Sequence, residues 1–480
     1  MPIHPLQAAI DMLGRDSRLG HGAADVVSFL MDLLYYGEFA IFEQVSTGGP
    51  HERVNLLGSK RGSDDGAPPL WLVSTMNSSM DPTPAHWASC DGDPFAARAR
   101  QASGLIHGLG AASGKIDAVL QILAASRFRL EELRRPVHVV VLSGEEGSGS
   151  GIRSLIATGP TPYGVALVGA PTNLELWTDH PGCIAVRLEL NRRLRHRRMP
   201  PSRGFYELDI VGRSAHAQLP SLGIDAIERG LEVIERLRAA GEIRILGFTA
   251  GEAPNRVAGH CTLRVATSYD VLPDLGPGVT AQPIADGTAL PFPLDGLFAA
   301  WLTARDAGVA AVVERLGLPR NARAARPPIT ASTGTLETDR NAVSGTVMLW
   351  TGPGISTRDV IEHFARAVQQ ALVGEDEIEV DIEVLQDRPA LAAREGGDPA
   401  FFDAARYASN AAGLVPGLSG GVLTTDAALL RSAGLHTLVF GPGRGPGDLY
   451  RDDEALPIAH LEAAFRFYVA LIQRWCVDAP

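Results

Sequence analysis

The run Val139-Val140-Val141-Leu142-Ser143-Gly144-Glu145-Glu146-Gly147-Ser148-Gly149-Ser150-Gly151-Ile152 passes from four aliphatic residues into a glycine-rich loop with two adjacent carboxylates. The aliphatic part predicts a buried strand, and Ile152-Arg153-Ser154-Leu155-Ile156 opens a helical pattern after the loop. In open α/β sheets, ligands sit at the loops that leave the carboxyl ends of strands. Two neighbouring glutamates there can act as a general base and a cation ligand. Equally, they can do no more than favour the positive end of the next helix, a contribution of about 0.3–1 kcal/mol.

Outward from this stretch the same alternation repeats. A helix is expected over residues 22–36, strands at Phe39–Phe42, Val54–Gly58 and Leu70–Val73, and a helix from Ile116 to Ala125. A strand follows at Val165–Gly169. Strands alternating with helices predict a mostly parallel sheet covered on both faces. Near residue 180 the pattern changes to alternating, half-exposed strands at Ile184–Leu190 and Phe205–Val211, then a helix from Asp225 to Ala239 and strands around 243–249 and 260–267. The Arg-rich bend between the first two (Arg192 to Arg203) reads as a solvated loop, with a phosphate patch as the alternative. Residues 269–330, rich in Pro, Gly and Ala with one helical stretch near 297–315, read as an insertion. From about 395 the α/β pattern resumes with helix Pro399–Ala411, strand Thr437–Phe440 and helix Ile458–Trp475. The expected fold is therefore α/β. A discontinuous domain with a mostly parallel sheet flanked by helices (1–178 and 395–480) carries an inserted α+β domain (179–394).

The length of 480 residues suits two to four domains, and 45% hydrophobic with 20% charged residues is ordinary for a soluble chain. A net charge of -12 argues against nucleic acid or an anionic membrane as the main partner. Cys90, Cys183, Cys261 and Cys476 are far apart and lack metal spacing, so they read as buried thiols. With no signal-like start and no uncharged run long enough to span a bilayer, a cytoplasmic location is expected. After the loop Gly108-Leu109-Gly110-Ala111-Ala112-Ser113 a dinucleotide fold needs an acid about 20 residues on that ends the second strand; the nearest candidate so placed, Glu145, sits too far along and belongs to the acidic loop.

Taken in order, the motifs resemble those of the M20 metallopeptidases and their amidohydrolase relatives (aminoacylases, acetylornithine deacetylase-like and carboxypeptidase-like proteins). Met80-Asp81-Pro82-Thr83-Pro84 with Trp87 and Asp93-Pro94-Phe95 is similar to the family's HxDxxP…W…DPF stretch. Gly108–Lys115 is similar to GRGAxDxKG, Gly144–Ser148 to DEExGS, and Gly169–Asn173 to GEPTN. Gly212-Arg213-Ser214-Ala215-His216 with Pro220, Gly223 and Ala226 is similar to the lid signature GxxAHxxxPxxGxNAI.

The resemblance implies a two-zinc site of two His, a bridging Asp, a ligand Glu and a further acid, with a separate Glu activating water. In this chain the first His falls on Ser79, the bridging Asp on Ser113, the further acid on Ala170 and the C-terminal His on Tyr450. Only the ligand Glu, Glu146, is retained; Asp81 is present without a His to orient. Zinc takes imidazole, thiolate or carboxylate donors, at least three even in catalytic sites, so no metal cofactor is expected. Displaced donors among His86, His107, His180, Asp91, Asp426 and Asp452 are the alternative, giving an active metal-dependent amidohydrolase.

Glu145 falls on the water-activating base, and His216 on the lid His that stabilises the oxyanion across a dimer. Asn255 or Asn341 takes the position of the substrate-contacting lid Asn, while the lid Arg falls near Ser268 or Trp350. Without a cation between them, Glu145 and Glu146 repel, and one should hold a proton. The expected function is metal-independent binding or acid–base chemistry on a small amide- or amino-acid-like ligand. Glu145 and His216 are the catalytic candidates, and Ser79, Ser113, Asn255, Asn341 and Tyr450 the ligand-binding candidates. The expected partners are a small-molecule or peptide-like ligand and a second copy of the chain through the lid domain. Whether the chain turns its ligand over is left open at this stage.

Overall fold

The computed structural model describes residues 3–18, 23–46, 53–64, 66–78, 87–144, 149–159, 163–192, 202–285, 294–316, 329–392, 397–445 and 453–478. The chain divides into two compact units, Met1–Pro181 with Arg388–Pro480, and Gly182–Asp387.

In the larger unit, strands Val137–Leu142, Leu70–Thr75, Val165–Val168 and His436–Val439 lie side by side and parallel at the centre of an eight-stranded sheet. Antiparallel strands Ala40–Ser46 and Arg53–Lys60 extend one edge, and Leu176–Asp179 with Leu418–Gly420 the other. The central strands are near-continuous Val, Leu and Ala because both faces are covered. Alternation assigns Val139 and Val141 to one core, Val140 and Leu142 to the other. The first core also holds helices Pro5–Leu13, Ala24–Tyr36, Lys115–Ala125, Pro399–Ala411 and Ile458–Ile472; the second holds Ser150–Thr158 and Ala427–Ser432. Helix Lys115–Ala125 is buried along its whole length, polar Lys115, Asp117 and Gln121 included.

The smaller unit is one eight-stranded sheet, in the order 279–283, 204–211, 260–267, 243–250, 329–338, 342–351, 182–192, 378–388. Its described pairings are antiparallel. Helices Ala226–Ala240, Asp295–Leu316 and Thr357–Ala371 pack on the sheet around a single core. The passage 269–330 is built into this unit rather than appended to it. Val279–Pro283 pairs with Gly204–Val211, and Leu297, Phe298 and Trp301 are core residues, with Trp301 Nε1 donating to the Leu188 carbonyl at 2.8 Å. Helix Asp295–Leu316 is long and apolar enough to cross a membrane by length and composition alone, yet its Leu297, Phe298, Trp301, Ala304 and Val312 are buried against the sheet.

Candidate active site

Parallel pairing of Leu70–Thr75 with Val137–Leu142 brings Thr75 opposite Leu142, so both chains leave the sheet at the same edge. Asn77 joins them. Its Oδ1 accepts from the Gly144 amide at 2.7 Å, and its Nδ2 donates to the Ser17 carbonyl at 2.9 Å. Asn55 holds the other side of the acidic loop, accepting from Ser143 N at 3.0 Å and donating to the Gly151 carbonyl at 2.9 Å. Gly144 and Gly149 bracket the loop at φ of 82° and 62°, a region that favours glycine. Glu145 and Glu146 lie between them, outside the described residues, as do Ser79, Asp81, His86, Tyr450 and Asp452.

Ser113 closes the turn that feeds helix Lys115–Ala125. Its Oγ donates to the Gly110 carbonyl at 3.0 Å and accepts from Lys115 N at 3.3 Å. The buried Glu454 carboxylate accepts from Gly110 N at 2.7 Å, and Lys115 Nζ donates to the Arg15 carbonyl at 2.8 Å. Gly114 passes so near the next loop that a Cβ on it would lie 3.0 Å from the Gly169 carbonyl, and Ala170 follows, buried. Ser113 and Ala170, the described members of the four substituted family positions, thus present an engaged hydroxyl and a methyl group. Neither is a zinc donor of the usual kind. Among the described residues, no three His, Cys, Asp or Glu side chains converge on a metal-sized point.

The described alternatives are engaged in other ways. His180 places Nδ1 2.9 Å from the Pro181 carbonyl and Nε2 3.1 Å from Thr425 Oγ1, and burial brings its pKa down to about 4. Asp426 accepts from the Arg388 guanidinium in a buried ion pair. Asp91 pairs with Arg98 at the surface, 2.7 Å apart. His107 lies in the small sheet formed with Arg98–Arg100 and Ala455–Pro457.

Beneath the Ser113 turn is a carboxylic acid that the sequence reading passed over. Asp117 is fully buried; its Oδ1 accepts from the Tyr468 hydroxyl at 2.5 Å, and its Oδ2 has no partner among the described residues. Burial, which favours the neutral acid, drives its pKa well above 3.8 against the opposing pull of the Tyr468 hydrogen bond. Glycines make room for it: a Cβ at Gly169 would lie 2.5 Å from Asp117 Cβ, and one at Gly441 would lie 2.8 Å from each carboxyl oxygen. The signal in sequence was an acid in an otherwise apolar helical run, Lys115-Ile116-Asp117-Ala118-Val119-Leu120.

In the smaller unit, His216 and Asn255 are neighbours: the Ala217 amide donates to the Asn255 carbonyl at 2.9 Å. His216 Nδ1 accepts from Gln218 N at 3.2 Å, which places the proton of the neutral ring on Nε2. Desolvation lowers this imidazole to about 4. Asn341 is not part of the group. It sits in the turn between strands Ile329–Thr338 and Ala342–Thr351, whereas Pro254 packs on Gly334, four strand residues (about 13 Å) back from Thr338.

A parallel-centred α/β unit interrupted by an antiparallel α+β unit, with loops converging at the strand ends, defines the class of hydrolase-type scaffolds in which the site is built from loops. The chain matches the model of peptidase family M20/M25/M40 over residues 76–474 and belongs to that family. Among curated relatives it is 24% identical over 240 residues to a probable carboxypeptidase of Aspergillus clavatus, an alignment covering 49% of this chain and 47% of that protein. It is 26% identical over 275 residues to an acetylornithine deacetylase of Vibrio cholerae, covering 54% and 63% respectively. The chain thus spans between about half and just under two thirds of these relatives. A dipeptidase structure from Saccharomyces cerevisiae superposes over 99% of this chain and 96% of its own at a TM-score of 0.60 with 13% identity, a likeness of fold.

Proposed function

We propose that this M20-family chain handles a small amide- or amino-acid-like ligand without a two-zinc centre. In this reading Glu145 serves as the proton-handling carboxylate, with His216 as a neutral hydrogen-bond donor. The observation that carries the reading is Ser113: where the family has a metal-bridging carboxylate, the hydroxyl is turned to the Gly110 carbonyl. A hydroxyl so engaged contributes no negative charge to offset two divalent ions. The retained carboxylate pair then has no cation between it, and one member keeps its proton at neutral pH. The same reading includes a homodimer formed through the smaller unit and a cytoplasmic location, since the lid His of the family acts across a dimer.

Elemental analysis of the full chain purified without chelator tests the proposal, together with hydrolysis of N-acyl amino acids by parent and Glu145→Gln. The expected outcome is less than a tenth of an equivalent of zinc, manganese or cobalt. Any turnover should be insensitive to chelator and abolished in the variant. Two equivalents of metal with chelator-sensitive hydrolysis would make the chain a metal-dependent amidohydrolase with displaced ligands and end the proposal.

A further inference from the structure

Helices Asp295–Leu316 and Thr357–Ala371 pack against each other in the smaller unit. They approach closely at Gly308, where a Cβ would lie 2.6 Å from the Phe364 ring. Val360, Phe364 and Val368 turn into the core, and other positions of the same helix carry His363, Arg366, Ala367 and Gln370. Past Gly308 the facing residues include Ala311 and Ala367, whose methyl groups are too short to fill the space between the helices. A cavity of about 360 Å³ results, lined by Ala311 and Glu314 from one helix and by His363, Arg366, Ala367 and Gln370 from the other.

Two opposite charges line this cavity without meeting. Glu314 and Arg366 form no ion pair with each other, and neither side chain has a hydrogen-bond partner among the described residues. Glu362, one turn before Arg366, is taken by Arg358 at 2.8 Å. His363 Nδ1 donates to the Asp359 carbonyl at 2.7 Å, so Nε2 is the acceptor when the ring is neutral. The walls therefore present two coplanar acceptors on Glu314, a planar donor fork on Arg366, an acceptor on His363 and an amide on Gln370, beside two methyl groups.

We propose that this cavity is a binding site for guanine or its nucleoside, with N1–H and the 2-amino group donating to Glu314 and with O6 and N7 accepting from Arg366. A neutral ring with a pair of donors on one edge and a pair of acceptors on the next meets each fork with its complement. The ring faces lie against the methyl groups of Ala311 and Ala367, and His363 and Gln370 serve the sugar hydroxyls. The volume falls within the range of about 300–1,000 Å³ usual for small-molecule pockets. A phosphate is disfavoured, because Glu314 repels it and the one guanidinium is engaged by the base. An α-amino acid would satisfy both charges, but it brings two ions that each need several partners where the cavity offers one apiece. None of the six lining residues belongs to the candidate site described above, so the inference stands or falls apart from the proposed function.

Calorimetric titration of the full chain with guanosine, inosine, adenosine and L-alanine tests the assignment. Guanosine is expected to bind at least tenfold more tightly than inosine, which lacks the 2-amino donor, and adenosine and L-alanine to bind more weakly still. Glu314→Gln and Arg366→Met, both at exposed helix positions, should each weaken guanosine at least tenfold. If a variant does not fold, the comparison of guanosine with inosine and adenosine on the parent carries the same information. No binding of guanosine, equal binding of guanosine and inosine or adenosine, tighter binding of L-alanine, or a guanosine affinity untouched in either variant would each overturn it.

Discussion

Tyr468 reaches from the last helix to place its hydroxyl 2.5 Å from Asp117 Oδ1 and 3.1 Å from the Phe440 carbonyl, joining two segments 351 residues apart inside the larger unit. Asp117 is thereby a buried acid next to the turn that carries Ser113. With its folded pKa raised above 3.8, the folded state binds the extra proton, so this group's stability is complete below that value and is lost as pH rises toward the folded pKa. The loss amounts to about 1.4 kcal/mol per pH unit for one proton. Asp117→Asn keeps the shape without the charge. In urea unfolding at pH 5 and pH 8, the variant is expected to equal or exceed the parent at pH 8 and to show a flatter pH dependence. A variant that loses stability equally at both pH values would mean that Asp117 is ionised in the folded state.

Gly169 is the wall behind that acid. A methyl group there meets Asp117 Cβ at 2.5 Å inside a close-packed core. Gly169→Ala is expected to cost about 1–3 kcal/mol, read from the denaturation midpoint. The double variant Gly169→Ala/Asp117→Gly should lose less than the sum of the two single changes.

Arg388 and Asp426 form a buried ion pair in the larger unit, 6% and 0% exposed at their side chains. Removing one partner leaves an uncompensated charge, so Asp426→Asn is expected to destabilise by about 3–5 kcal/mol. The double replacement Arg388→Met/Asp426→Leu should lose less than Asp426→Asn alone. A double-mutant cycle in urea checks both statements.

His138, His180 and His216 are all brought from 6.5 to about 4 by burial. The folded state resists protonation that the unfolded chain accepts, so the stability from these groups is complete above 6.5 and is lost as pH falls toward 4. The urea midpoint is expected to drop between pH 7 and pH 5, and less so in His138→Gln. Histidine resonances still at their neutral-ring positions at pH 5 would confirm the depressed values; protonation near 6.5 would refute them.

The sheet centres were legible because covered strands read as unbroken aliphatic runs, such as Val139–Leu142. Strand Ile329–Thr338 was not, since Ile-Thr-Ala-Ser-Thr-Gly-Thr-Leu-Glu-Thr is small and polar and is a strand through its pairing with Ala342–Thr351. The Gly-rich passage 269–330 hid an edge strand for a similar reason: Val279–Pro283 is short, exposed and, among the described residues, paired with Gly204–Val211 on one side. Site residues named from motifs depended on order along the chain. Asp117 depends on burial and on its partner Tyr468, which a one-dimensional pattern does not carry.

The pairing of His180 with Leu391 has one further consequence. Their backbones exchange two hydrogen bonds, His180 N to the Leu391 carbonyl at 3.1 Å and Leu391 N to the His180 carbonyl at 2.9 Å, which sets the Cα atoms about 5.5 Å apart. The chain leaves the larger unit after Pro181 and returns at Arg388, so the long excursion departs and re-enters through a doorway stapled shut on the side of its host. A short turn spliced between 181 and 388 would close the host with little loop entropy to overcome.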